Sequence, residues 1–144
     1  MINQPAILYV EDEKTDVLLF RVAFTQAGLT NPVHIAVDGA EAIDYLAGNG
    51  PFADRNRHPL PAFVLLDINL PKKNGFEVLS WIRKQPQFSS LPVVMYTSSV
   101  GLMDKETAEL FGATDYYVKR RGVNQIAELV RSLAERWLNQ SAPA

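Results

Sequence analysis

Short apolar runs, each cut off by a polar or charged residue, alternate along this chain with stretches of helical period. Ala6-Ile7-Leu8-Tyr9-Val10 stops at Glu11-Asp12-Glu13, and Phe63-Val64-Leu65-Leu66 stops at Asp67. Residues 91–96 stop at Thr97-Ser98-Ser99, Tyr116-Tyr117-Val118 stops at Lys119, and residues 33–37 make a more modest run. Continuous apolar runs bounded by turn residues predict strands buried on both faces of a parallel sheet.

The intervening segments predict helices. Val17, Phe20 and Phe24 recur at helical spacing over 15–27, with Gly28 as the stop. Asp38-Gly39-Ala40-Glu41 has capping-box spacing and opens a helix carrying Ala42, Ile43 and Leu46, ended by Gly48. Val78, Leu79 and Ile82 mark a helix over 76–85; Met103, Leu110 and Phe111 give only a thin stripe over 103–111, closed by Gly112, so much of that helix is expected to be exposed. The last helix has the clearest stripe: Val123, Ile126, Ala127, Val130, Leu133, Ala134 and Trp137. Strand-helix alternation repeated five times predicts an α/β fold, a doubly wound parallel sheet with helices on both faces. Residues 48–61 (GNGPFADRNRHPLP) show no period and read as a long, solvated loop. The 144 residues read as one domain, with its core at about 5–138 and a frayed tail over 139–144.

In a parallel sheet the carboxyl ends of the strands share one edge, where open α/β sheets place their ligands. That edge collects Glu11, Asp12, Asp67, Thr97 and Lys119. Singly, each has an ordinary explanation as a turn, helix-start or surface residue. Together they form a crowded anionic pocket. Two unit charges about 4 Å apart repel by roughly 4 kcal/mol at an effective dielectric near 20. The trio of carboxylates therefore calls for Lys119 and a cation, and oxygen-only donors favour Mg²⁺. A carboxylate in such a setting can accept a phosphoryl group as an acyl phosphate. Its oxygens would then be met by the metal, by Lys119 and by the Thr97 hydroxyl.

Composition narrows the classes. Hydrophobic residues are 47% and charged residues 21%, within the globular range. A net charge of -2 gives no basic footprint for nucleic acid or a membrane surface. There are no cysteines, no signal-peptide pattern at Met1-Ile2-Asn3-Gln4-Pro5 and no membrane-spanning apolar run, so a cytoplasmic protein is expected.

Val10-Glu11-Asp12, Leu66-Asp67-Ile68-Asn69-Leu70-Pro71 with Gly75, Thr97-Ser98-Ser99, and Gly112-Ala113 with Tyr116 and Lys119 resemble the receiver domain of two-component response regulators. The resemblance covers about residues 5–138 and implies sheet order 2-1-3-4-5 in a flavodoxin-like fold. It implies Asp67 as phosphoacceptor, Asp12 as a direct Mg²⁺ ligand, Glu11 as a second or water-mediated one, and Asn69 giving its backbone carbonyl. By the same resemblance Thr97 and Lys119 contact the phosphoryl group and Tyr116 is an aromatic switch. The implied partners are a sensor histidine kinase and, through the 103–111 helix, the fifth strand and the last helix, a downstream protein or a second copy as a homodimer.

Two features depart from that pattern: Arg120 stands where the family has proline, often after a cis bond, and the 48–61 loop is long. The loop resembles that of the stand-alone regulators that partner bacterial phytochromes.

Two other readings compete. An aspartate-nucleophile phosphatase acting on small phosphorylated molecules needs a general acid two residues after Asp67, where Asn69 cannot donate a proton in that way. A flavin-binding module needs a phosphate loop where this chain has Glu11-Asp12-Glu13-Lys14, whose charge repels phosphate. His34 and His58 read as structural or solvated, and Arg55, Arg57 and His58 as members of a flexible solvated loop.

Overall fold

The computed structural model describes residues 4–138. Its elements alternate in chain order: β1 (Ala6–Val10), α1 (Lys14–Gln26), β2 (Val33–Ala36), α2 (Gly39–Ala47), β3 (Pro61–Leu66), α3 (Gly75–Lys84), β4 (Val93–Thr97), α4 (Leu102–Leu110), β5 (Asp115–Val118) and α5 (Val123–Trp137). The strands form one parallel sheet in the order β2-β1-β3-β4-β5. This is a doubly wound α/β fold, in the strand order that the family resemblance implies.

The central strands β1 and β4 are buried at every position, as continuous apolar runs require. Alternate residues serve opposite layers. Ile7, Tyr9, Phe63, Leu65, Val94 and Tyr96 pack with Phe20 and Phe24 of α1 and Ile126, Val130 and Leu133 of α5. Leu8, Val10, Val64, Leu66, Val93 and Met95 pack with Leu46 of α2, Val78, Leu79 and Ile82 of α3, and Ala108 of α4. Trp137 completes the first layer, its ring 5.4 Å from Phe63.

Local signals acted mostly as written. Asn74 and Glu77 close a full capping box at α3, satisfying two amide donors that the helix start leaves open. At α2 only half of the expected box forms. The Asp38 carboxylate accepts the Glu41 N–H at 2.8 Å, while the Glu41 side chain reaches one residue further back and accepts the Val37 N–H at 3.1 Å.

The exposure expected of the 103–111 helix is found: Met103 and Leu110 are 79% and 82% exposed, and Ala108 alone of α4 is buried. One expectation is corrected. The 48–61 loop is fastened, not free. A 3-10 turn spans Gly50–Phe52, and the Arg55 guanidinium donates to the carbonyls of Tyr45 (2.8 Å), Leu46 (2.8 Å) and His58 (3.1 Å). Arg55 thereby caps the open carbonyl end of α2. Tyr45 donates its hydroxyl to the Pro59 carbonyl at 2.7 Å, and its ring meets those of His34, Phe52 and His58. Arg57 is exposed, as read.

Candidate functional site

Strand register builds the site. Val10 is opposite Leu66 and Leu66 opposite Met95, so the residues that follow emerge side by side. Pairing continues past the strand ends: Asp67 N–H donates to the Val10 carbonyl at 3.2 Å and Lys119 N–H to the Thr97 carbonyl at 2.8 Å. Glu11, Asp67, Thr97 and Lys119 are thus fixed through their own backbones.

Glu11, Asp12 and Asp67 each present a carboxylate oxygen within 4.8 Å of the others. Lys119 enters from β5 and its ammonium touches three carboxylates: Glu11 Oε1 at 2.7 Å, Asp16 Oδ2 at 2.7 Å and Asp67 Oδ2 at 2.9 Å. The other Asp67 oxygen accepts the Ile68 N–H at 2.7 Å. Glu11 also accepts the Glu13 N–H at 3.1 Å and the Tyr9 hydroxyl at 3.4 Å.

Burial pushes the Glu11 carboxyl up to about 7, and the neighbouring Asp67 charge pushes the same way, against the pull of Lys119 and the Glu13 N–H. Burial alone would lower Lys119, but its hydrogen bonds to Asp16, Glu11 and Asp67 outweigh that and hold it above the ordinary lysine value. The Tyr9 hydroxyl is driven up by burial and by Glu11, so it stays a donor.

Thr97 is fully buried and its hydroxyl accepts the Ser99 N–H at 3.4 Å. The Tyr116 hydroxyl donates to the Ser99 carbonyl at 3.0 Å, so the β4–α4 turn links the two. Asn69 lies exposed two residues past Asp67. Every residue expected at the strand-end pocket is therefore on one edge of the sheet. Sequence reasoning missed Asp16. An acidic residue in the first turn of a helix is ordinary, and its meeting with Lys119 spans 103 positions of chain.

Arg120 changes the loop after Lys119 in a specific way. Its N–H, which a proline would lack, donates to the Tyr96 hydroxyl at 3.2 Å, and no described peptide bond is cis.

The donor set fits a hard divalent cation. The clustered donors Glu11, Asp12 and Asp67 are all carboxylate oxygens, and with Asp16 beside Lys119 the carboxylates outnumber the one ammonium, which leaves negative charge in surplus. A carboxylate at this edge, flanked by an ammonium and a buried hydroxyl, is arranged for phosphoryl chemistry.

Comparison with known proteins agrees. The model of the response regulator receiver domain matches residues 7–131. Response regulator Rcp1 of Synechocystis sp. is 32% identical over 137 residues, covering 94% of this chain and 91% of that protein. Response regulator RPA3017, in red light signaling of R. palustris, superposes with a TM-score of 0.88 at 31% identity, over 97% of this chain and 99% of that one. The phosphorylated cyanobacterial phytochrome response regulator RcpA gives 0.85 at 31% identity, over 99% and 100%. The Mn²⁺-bound form of Rcp1 gives 0.81 at 31% identity, over 97% and 99%. This chain belongs to the response regulator receiver domain family, signalling switches of two-component systems, with phytochrome response regulators among its relatives.

Proposed function

We propose that the chain, read over 1–144 as a single receiver domain, takes a phosphoryl group onto Asp67 from a sensor histidine kinase in the cytoplasm. Kinship with phytochrome response regulators points to a phytochrome as that kinase. The observation that carries the reading is the Lys119 ammonium 2.9 Å from Asp67, within a pocket where Glu11, Asp12 and Asp67 converge to 4.8 Å.

An Asp67 oxygen forms the new O–P bond as the P–N bond of a phosphohistidine breaks. The electron pair stays on the departing imidazole nitrogen, whose partner nitrogen carries the proton, so a neutral imidazole leaves. Lys119 donates to the phosphoryl oxygens, and Thr97 turns its hydroxyl toward them. Glu11, Asp12, Asp67 and the Asn69 carbonyl are the groups to hold Mg²⁺, a choice supported by the Mn²⁺-bound relative. When bound, that ion neutralises charge on the phosphoryl oxygens. Asn69 offers no proton for rapid release of phosphate, which disfavours a phosphatase cycle.

When Thr97 moves, the Ser99 N–H loses its acceptor, the β4–α4 turn is released and Tyr116 follows it inward. The face altered is that of α4, β5 and α5, which a downstream protein or a second copy then binds. Incubation with labelled acetyl phosphate and Mg²⁺ should label the parent, and Asp67→Asn should abolish the label. Equal labelling of Asp67→Asn would remove the acceptor assignment.

A further inference from the structure

We propose that Asp16 is a positioning residue of the phosphoryl site, anchoring the Lys119 ammonium so that one N–H stays directed at Asp67 throughout the reaction. This rests on Asp67 being the phosphoacceptor. An ammonium has three N–H donors, and three carboxylates take them here at 2.7, 2.7 and 2.9 Å. Two of those partners have other duties. Asp67 becomes the acyl phosphate, and Glu11 belongs to the carboxylate cluster that faces the cation.

Asp16 is free of both. It lies outside that cluster, in the first turn of α1, a helix seated in the core by Phe20, Ala23 and Phe24. Its carboxylate is thus the one partner of Lys119 that stays in place before and after transfer. A lysine stem is long and flexible, and an ammonium aimed by a fixed carboxylate is oriented before the transition state forms. The bland alternative, a solvated acid favoured by the helix dipole, does not account for a 2.7 Å bond to a lysine side chain only 12% exposed.

The test compares Asp16→Asn and Asp16→Glu in the parent and in a Lys119→Ala background. With acetyl phosphate and Mg²⁺, an Asp67 oxygen bonds to phosphorus and acetate leaves with the P–O electron pair. Asp16→Asn should slow labelling about tenfold while the Mg²⁺ midpoint stays within about threefold, and Asp16→Glu should recover part of the loss. In the Lys119→Ala background Asp16→Asn should change nothing further, since it acts through Lys119. Independently of metal and phosphate, the Nζ–H signal of Lys119 in lysine-labelled protein should be visible in the parent and lost in Asp16→Asn. A parent that labels while Asp16→Asn labels equally fast overturns the assignment alone, as does an equal loss in both backgrounds. A parent that takes no label overturns the phosphoacceptor reading and this assignment with it.

Discussion

Gly75 begins α3 directly against Asp67, the proposed phosphoacceptor. A Cβ there would lie 2.1 Å from the Asp67 carbonyl oxygen and 2.8 Å from the Ile68 Cα, both backbone atoms that cannot step aside cheaply. Gly75→Ala should therefore cost about 1–3 kcal/mol in urea unfolding and displace Asp67 from Lys119, slowing phosphorylation as well. Unchanged stability would mean that the β3–α3 turn yields more than its geometry suggests. Lys119→Ala acts differently. It leaves the carboxylate cluster intact, so Mg²⁺ binding should persist by titration while phosphorylation no longer alters partner affinity. Equal partner gain on phosphorylation in that variant and the parent would count against a signalling role for Lys119. Asp12, Asp67, Thr97 and Lys119 were legible in the sequence because each ends an apolar run, and a parallel sheet delivers all such ends to one edge. Asp16 was not legible, because which cation a helix-start acid meets depends on packing between α1 and the β5–α5 turn.

Among the elements, the loop after α2 was the least legible. Its Gly, Pro and Asn residues announce irregular backbone, but nothing in composition says that Arg55 will bond three carbonyls. Arg55→Ala should destabilise the domain by about 2–3 kcal/mol, since three charge-assisted bonds are lost and the Tyr45 carbonyl keeps only the Gly48 N–H. A shift under about 0.5 kcal/mol would show that water replaces the guanidinium without loss. The same loop gives a pH dependence. His34 is held below the ordinary histidine value by burial, by His58 with its ring 6.3 Å away, and by Arg21. A depressed folded pKa means stability that is present above the unfolded value near 6.5 and lost as pH falls through the lower folded value. The melting temperature should thus drop between pH 7 and pH 5 more steeply in the parent than in His34→Gln. Parallel curves would remove His34 as a cause. By contrast most of the α5 stripe was legible: Ile126, Ala127, Val130, Leu133 and Ala134 are buried and Val123 and Trp137 half-buried, while Leu129, buried as well, lay outside the stripe as read.

Across the whole molecule, periodicity yielded the alternation and the parallel sheet, but not the strand order, which came from family resemblance. Order depends on which crossovers go left or right of β1, and apolar runs buried on both faces look alike in any position. The exposure of α4 was legible, because so thin an apolar stripe cannot seat a helix deep in the core. Val100, Leu102, Met103 and Leu110 are all exposed by more than two-thirds, beside Val118 of β5. Apolar surface concentrated on one helix, next to the turn that joins Thr97 to Tyr116, is suited to contact that depends on the state of that turn. If a second copy is the occupant, phosphorylation should tighten self-association about tenfold, worth about 1.4 kcal/mol, read by sedimentation with and without acetyl phosphate. Met103→Glu with Leu110→Glu should block that association and leave the labelling of Asp67 unchanged, because neither side chain enters the pocket. Identical sedimentation of phosphorylated and unphosphorylated parent would assign the exposed face of α4 to a different protein, and the double variant should then lose that protein instead.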